Sequence, residues 1–255
     1  MKVTLIGGGK VAKSLMAEML AIEVLHEVYV RNEKDRKLLA LNHPHVRFPH
    51  QLDFTDSESN FFILAVSDSA IEEIAEQIDL PIDAILAHTS GTIPLDSLNK
   101  KRSAVFYPLQ TFAEGQLTQL QNVPLLIEAT DPDTFKATEA LARRLSNNVI
   151  AADSAFRAQI HLAAVFASNF SNRMLYAAEQ ILSEMGQELN LIEPLVLQSI
   201  QNVFRKGANE SLTGPAQRED QVTIEKQKHL LEQSPELQEL YQTLTKYILS
   251  SKTAK

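Results

Sequence analysis

The chain is predicted to have an α/β fold, with an N-terminal doubly wound parallel sheet followed by an all-helical C-terminal domain. Three observations predict it. Short apolar runs of strand length alternate with helix-period segments as far as Ala151. A glycine-rich turn joins the first strand to the first helix. From Asp153 onward, β-branched runs give way to helix-forming sequence. The expected division is therefore 1–152 and 153–255.

The first strand is Lys2 to Ile6, and it runs into Gly7-Gly8-Gly9-Lys10-Val11-Ala12. The next helix carries Val11, Leu15, Met19 and Ile22 on one face. This is a G-x-G-x-x-A turn between a strand and a helix, the pattern of a Rossmann dinucleotide-binding unit. Gly7 lets the chain turn sharply, Gly9 lets a phosphate approach the backbone, and Ala12 lets the helix pack closely on the sheet. The helix N-terminus, with Lys10 and Val11 in its first turn, is an anion site for a pyrophosphate. The alternative is a tight turn that holds no ligand.

The second strand, Glu27 to Val30, ends at Arg31-Asn32. An NAD site places a carboxylate there for the ribose 2′-hydroxyl. Arg31 instead suits a 2′-phosphate and Asn32 a ribose hydroxyl, with positive potential from Lys34 and Arg36. The expected cofactor is NADP. In the plainer reading Arg31 is solvated and Asn32 caps the next helix.

That helix, Glu33 to Leu41, precedes a possible third strand, Val46 to Phe48. Phe61 to Val66 is a continuous apolar strand covered on both faces, ending at Ser67-Asp68-Ser69 and a helix. Ala84 to Ala87 is a further strand, followed by His88-Thr89-Ser90-Gly91. Val105 to Tyr107 and Leu125 to Ile127 are strands, Asp133 to Leu145 a helix and Val149 to Ala151 the closing strand. Ligands of such sheets lie at the carboxyl ends of the strands. Val66, Ser67, Asp68, Thr89 and Ser90 fall on that edge, as does the loop Tyr107 to Phe112. The same residue types also populate ordinary turns.

Asp153 or Ser154 can cap a long helix that reaches Met185 and stops at Gly186. Its middle, Ile160 to Phe170, is too apolar for a surface helix and needs cover from other helices or a second subunit. At about 100° per residue, His161, Ser168 and Asn172 lie within roughly 20° of a common line. Arg157 and Glu179 lie near it, and Asn169 beside it. The stripe either faces a nicotinamide, with His161 moving a proton and Ser168 and Asn169 orienting a carbonyl, or forms a buried helix–helix network. A second helix, Leu191 to Lys206, stops at Gly207, and a polar loop covers Asn209 to Asp220. There Thr213 flanks a Gly214-Pro215 turn. Arg218 either clamps an anionic substrate or pairs with Glu219 or Asp220. One or two helices from Gln221 to Ser250 break at Pro235, and Ser250 to Lys255 are expected to fray.

Composition narrows the classes. With 255 residues and 44% hydrophobic content, the chain can bury one large core or two moderate ones. The absence of Cys excludes disulfides, thiolate metal sites and a Cys nucleophile. No metal site is expected. A net charge of -8 argues against broad nucleic-acid or anionic-membrane binding. The first strand is too short for a signal peptide and no apolar run spans a membrane, so a soluble cytoplasmic protein is expected.

Together these segments resemble a bacterial family of Rossmann-like proteins with a C-terminal domain of unknown function. That family lies within the superfamily of 6-phosphogluconate dehydrogenase, ketopantoate reductase and pyrroline-5-carboxylate reductase. The resemblance is carried by Gly7 to Ala12, Ala65 to Asp68, His88 to Gly91, Pro108 to Phe112, His161 through Phe170, and Leu212 to Pro215 with Arg218 and Asp220. It implies an NADP-dependent oxidoreductase that passes hydride to or from a small organic substrate bound between the domains. It also implies a homodimer formed through the C-terminal helices. A non-catalytic NADP-binding sensor is the competing expectation. His161, Ser168, Asn169, Thr213 and Arg218 are the substrate-side candidates. Hydroxyacid dehydrogenases of the superfamily place a Lys four residues before the helix Asn. Here that residue is Val165, with no Lys from Asp153 to Asn172, so the 2-hydroxyacid reaction is not expected.

Overall fold

The computed structural model describes residues 1–252. Two compact units make up the chain, Met1–Asn169 and Phe170–Lys255. The first is built on a seven-stranded sheet of order β2-β1-β3-β4-β5-β6-β7. Its strands are β1 (Val3–Ile6), β2 (Leu25–Tyr29), β3 (Phe61–Leu64), β4 (Ile85–His88), β5 (Ser103–Pro108), β6 (Leu125–Ala129) and β7 (Val149–Ala151). Helices α1 (Lys10–Ala21), α2 (Glu33–Asn42), α3 (Ile71–Gln77) and α4 (Pro132–Leu145) connect them.

All four residues of β1, β3 and β4 are buried, as strands covered on both faces require; β3 is apolar throughout, while β1 and β4 bury Thr4 and His88 among their apolar residues. One core cluster packs Leu15 and Met19 of α1 against Val3, Leu5 and Phe61. The other packs Ile71 and Ala75 of α3 against Ile6, Phe62 and Leu64. The strand order reverses at β1, between β2 and β3, which opens a crevice at their carboxyl ends.

The expected strand Val46 to Phe48 reduces to a single bridge, Arg47 beside Glu27. Pro44 and Pro49 flank it, and neither can donate to a ladder. β5 and β6 pair antiparallel, because the segment between them carries no helix to return the chain.

The expected long helix comprises α5 (Ser154–Ala164), a π-helical turn (Val165–Phe170) and α6 (Ser171–Glu184). Asp153 caps α5, its Oδ1 accepting the Phe156 amide at 2.7 Å. The division between the units falls inside the π turn.

In the second unit, α6 ends at Gly186 with φ +67°, where the Gly186 and Gln187 amides reach back to Ser183 and Leu182 carbonyls. α7 (Glu193–Lys206) stops at Gly207. The segment expected as a polar loop carries two one-turn helices, α8 (Ala208–Ser211) and α9 (Pro215–Arg218). Asp220 caps α10 (Gln221–Leu230), and Pro235 opens α11 (Pro235–Lys252). Ser250 to Lys252 are thus helical rather than frayed, and 253–255 lie outside the described residues. Among the described residues no helix is long and apolar enough to cross a membrane.

Candidate functional site

The glycine turn leaves β1 at the crevice. Gly7 has φ +139°, and a Cβ there would stand 2.2 Å from the Ala65 carbonyl oxygen. It would also lie 3.4 Å from the Ala12 Cβ, so Ala12 leaves little spare room. A Cβ on Gly8 would meet Val30 at 2.9 Å. Gly9 differs: nothing lies within 4 Å of its Cβ position. Gly9 is the N-cap of α1 and offers no side-chain hydrogen bond, so the first amides of the helix are left for another acceptor. Lys10 and Val11 follow in the first turn. Lys10 Nζ stands 3.7 Å from Glu114 Oε2, both well exposed.

Two clefts meet at this turn. One, of about 360 Å³, is lined by Gly7 to Val11, Ala65 to Ser67, and Phe112. The other, of about 350 Å³, runs from Gly7, Gly8, Val66 and Ser67 to Tyr29, Val30, Arg31, Asn32 and Asp35. Arg31 is exposed there. Asn32 Oδ1 caps α2, accepting the Lys34 and Asp35 amides at 2.9 and 3.1 Å. The capping role expected from sequence is therefore filled by Oδ1 of the exposed Asn32, which leaves its amide nitrogen as the other polar group of the side chain. Lys34 is exposed and Arg36 is buried. Asp35 and Glu73 bring carboxylates to the same cleft.

The other edge loops divide by task. Val66 and Ser67 face both clefts. Asp68 Oδ2 accepts the Thr92 hydroxyl at 2.8 Å, tying the β3 loop to the β4 loop. The Thr89 amide and hydroxyl both donate to the Leu64 carbonyl. Ser90 is buried, its Oγ accepting the amides of Thr92 and Ile93 at 3.1 and 3.0 Å, so its side chain shapes the loop. The Ser90 amide donates to His88 Nδ1 at 3.1 Å. His88 is fully buried, and burial followed by the Arg157 charge lowers its pKa to about 4.

Two side chains of the expected helical stripe meet the end of β5 and the loop that follows it. His161 Nδ1 and Tyr107 Oη share a hydrogen bond of 2.9 Å. Ser168 Oγ and Thr111 Oγ1 share another of 2.9 Å. Asn169 is exposed in the π turn, a distortion that recurs at functional sites. The stripe is otherwise broken. Arg157 is fully buried, its guanidinium bonded to Glu128, to the Ile93 carbonyl at 2.6 Å and to Ser154. Asn172 lies in the second unit and accepts a bond from Arg173 at 2.8 Å. The π turn shifts Asn172, which follows it, off the 100° step, whereas Arg157 precedes it in α5 and is buried by what the sheet places opposite it.

Thr213 and Arg218 lie in the second unit, both exposed, on either side of the Gly214-Pro215 turn. Arg218 helps hold the Asp220 carboxylate below its ordinary pKa, after the larger effect of hydrogen bonds from Thr223. The sequence places Tyr107 on the ligand edge only as part of the Tyr107 to Phe112 loop, with no role of its own, and does not mark Gly8 or Asp35 as site residues. The position of Tyr107 at the end of a strand, before an edge loop, was the available signal.

Residues 123–248 match a family described as a domain of unknown function, DUF2520. No curated protein matches the chain. The structure of a "putative NADP oxidoreductase", BF3122 from Bacteroides fragilis, is 30% identical with TM-score 0.86, over 98% of each chain. Protein TM1727 from Thermotoga maritima is 22% identical with TM-score 0.79, over 96% of this chain and 97% of its own. A reductive aminase from Aspergillus terreus, solved with NADPH and ethyl-5-oxohexanoate, shares the fold at 12% identity and TM-score 0.77, over 98% of this chain and 94% of its own.

Proposed function

This chain belongs to the Rossmann-like NADP oxidoreductase superfamily, in the family marked by the DUF2520 domain, and from that premise we propose that it binds NADP and moves hydride to or from a small organic substrate. The observation that carries the reading is the open Cβ position at Gly9, over helix amides that no side chain caps. That cradle fits a pyrophosphate. The first-turn amides, with Lys10 and Val11, hold the diphosphate. Arg31 holds the 2′-phosphate and the Asn32 amide nitrogen a ribose oxygen. Val66 and Ser67 border the bound nucleotide, while Asp68, Thr89 and Ser90 keep the neighbouring loops in shape. Reduced nicotinamide supplies the hydride when bound. His161, Ser168 and Asn169 in the first unit, and Thr213 and Arg218 in the second, are the substrate-side groups. A homodimer through the C-terminal helices completes the reading.

Calorimetric titration tests the cofactor. NADPH binds more tightly than NADH, and Arg31→Ala costs NADPH about tenfold or more while sparing NADH, the scale of one charged hydrogen bond. Asp35 and Glu73 in the same cleft make tighter NADH binding the outcome that would reverse the cofactor preference. Oxidation of NADPH with a panel of ketones and imines then separates an enzyme from a sensor that binds without turnover.

A further inference from the structure

We propose that Tyr107 is the proton donor of this site and that His161 positions its phenol, an inference that rests on the hydride-transfer reading above. Tyr107 is the penultimate residue of β5, on the carboxyl edge where ligands of such sheets lie. His161 alone is a weaker candidate, because its Nδ1 is engaged by the Tyr107 hydroxyl at 2.9 Å. The two rings pack edge to face, with centroids 5.9 Å apart. Both residues are half-buried, so they are neither locked in the core nor fully solvated. The Thr111–Ser168 bond holds the loop just after β5 to the same helical run at a second point.

Gly91 is the independent sign that this pair is built in. Its φ lies outside the left-handed region, so the backbone does not require glycine there. Space does: a Cβ would stand 2.6 Å from His161 Nδ1 and 2.9 Å from Tyr107 Cζ. The β4 loop has no side chain at the one place where it would push the hydrogen-bonded atoms apart.

The chemistry follows from the donor inventory. With its proton on Nδ1, His161 donates to Tyr107 Oη and leaves the phenol hydrogen free to point at a substrate. Were reduced nicotinamide bound, it would supply hydride to the carbon of a C=O bond, and the π electron pair would move onto oxygen. Tyr107 gives its proton to that oxygen, and the O–H bonding pair stays on the phenolate. His161 then passes its Nδ1 proton to the phenolate, and its ring takes up a proton from a solvent water, which leaves as hydroxide. The sum is one hydride and one proton added across the double bond. Burial, with the Asp68 charge, raises the Tyr107 pKa, so the phenol keeps its proton until an oxyanion forms.

The test sets a substrate that needs a proton against one that does not. With NADPH, cyclohexanone and ethyl 5-oxohexanoate need a proton on oxygen, whereas preformed N-methyl-1-pyrrolinium is reduced by hydride alone. Tyr107→Phe is expected to lower ketone kcat about a hundredfold or more and to leave iminium reduction within about twofold, as loss of a general acid requires. His161→Ala lowers ketone turnover, and His161→Asn, which restores an N–H near Nδ1, recovers most of it. A readout independent of turnover is the ¹⁵N resonance of His161 Nδ1, which shifts in Tyr107→Phe while NADPH affinity is unchanged. Equal losses on both substrate types, an unmoved Nδ1 resonance, or a wild type that reduces only the iminium overturns the proton-donor assignment and leaves the hydride reading standing. NADPH binding without turnover of any probe overturns both, and absence of NADPH binding overturns the cofactor reading itself.

Discussion

Two glycines two residues apart serve opposite purposes. Gly7 is needed by the fold, since φ +139° and a Cβ 2.2 Å from the Ala65 oxygen leave no room for a side chain. Gly9 is needed by no contact within the chain. Gly7→Ala is therefore expected to destabilise by more than about 1 kcal/mol. Gly9→Ala is expected to keep its melting temperature while losing NADPH affinity about tenfold or more, because a methyl group would stand in the phosphate's approach. Thermal melts and calorimetry on the two variants check this, and a Gly9→Ala protein with wild-type affinity would count against the cradle. His88 supplies a second residue-scale expectation. Its folded pKa is about 4, below the ordinary 6.5. Between those values the unfolded chain takes up a proton that the folded chain refuses. Its contribution to stability is thus complete above pH 6.5 and declines as pH falls toward 4, by at most about 3 kcal/mol. Urea midpoints measured from pH 7 to 4 should fall less steeply in His88→Asn than in the wild type.

At the scale of elements, Arg157 is the latch between α5 and the sheet. Its guanidinium bonds Glu128 at β6, the Ile93 carbonyl after β4 and Ser154 at the start of α5. Ser154 Oγ in turn donates to Glu128 at 2.8 Å and accepts the Leu95 amide at 3.1 Å. The network aligns the helix that carries His161, so its value to the site is rigidity. Arg157→Leu takes the guanidinium from the Glu128 carboxylate and the Ile93 carbonyl, and a loss of about 3 to 5 kcal/mol in urea unfolding is expected. A loss under about 1 kcal/mol would show that Glu128 finds water instead. Polarity on a helical stripe marked Arg157 and His161 together in the sequence. It could not separate the latch from the site, because burial is decided by what the sheet places opposite each residue.

For the whole molecule, α7 is the element that demands a partner. None of its residues is buried, and Leu195 and Phe204 are 70% and 88% exposed. Apolar side chains left in water on this scale mark an association surface. A second copy is the expected cover, since the expected homodimer uses these C-terminal helices. Light scattering should give twice the chain mass, and Leu195→Glu combined with Phe204→Glu should halve it. A wild type of single-chain mass at micromolar concentration would refute the dimer.

The sequence by itself determined the strand–glycine turn–helix opening, the alternation of strands and helices to Ala151, and the helical stops at Gly186 and Gly207. Each of these depends on local chemistry: backbone freedom, periodicity and caps between residues close in the chain. Only the tertiary structure decided the antiparallel β5–β6 pairing and the meeting of Tyr107 with His161. Those two residues lie on different elements and make no local pattern. Their hydrogen bond exists because a sheet edge and a helix converge over Gly91, and that convergence is set by packing rather than by neighbours in sequence.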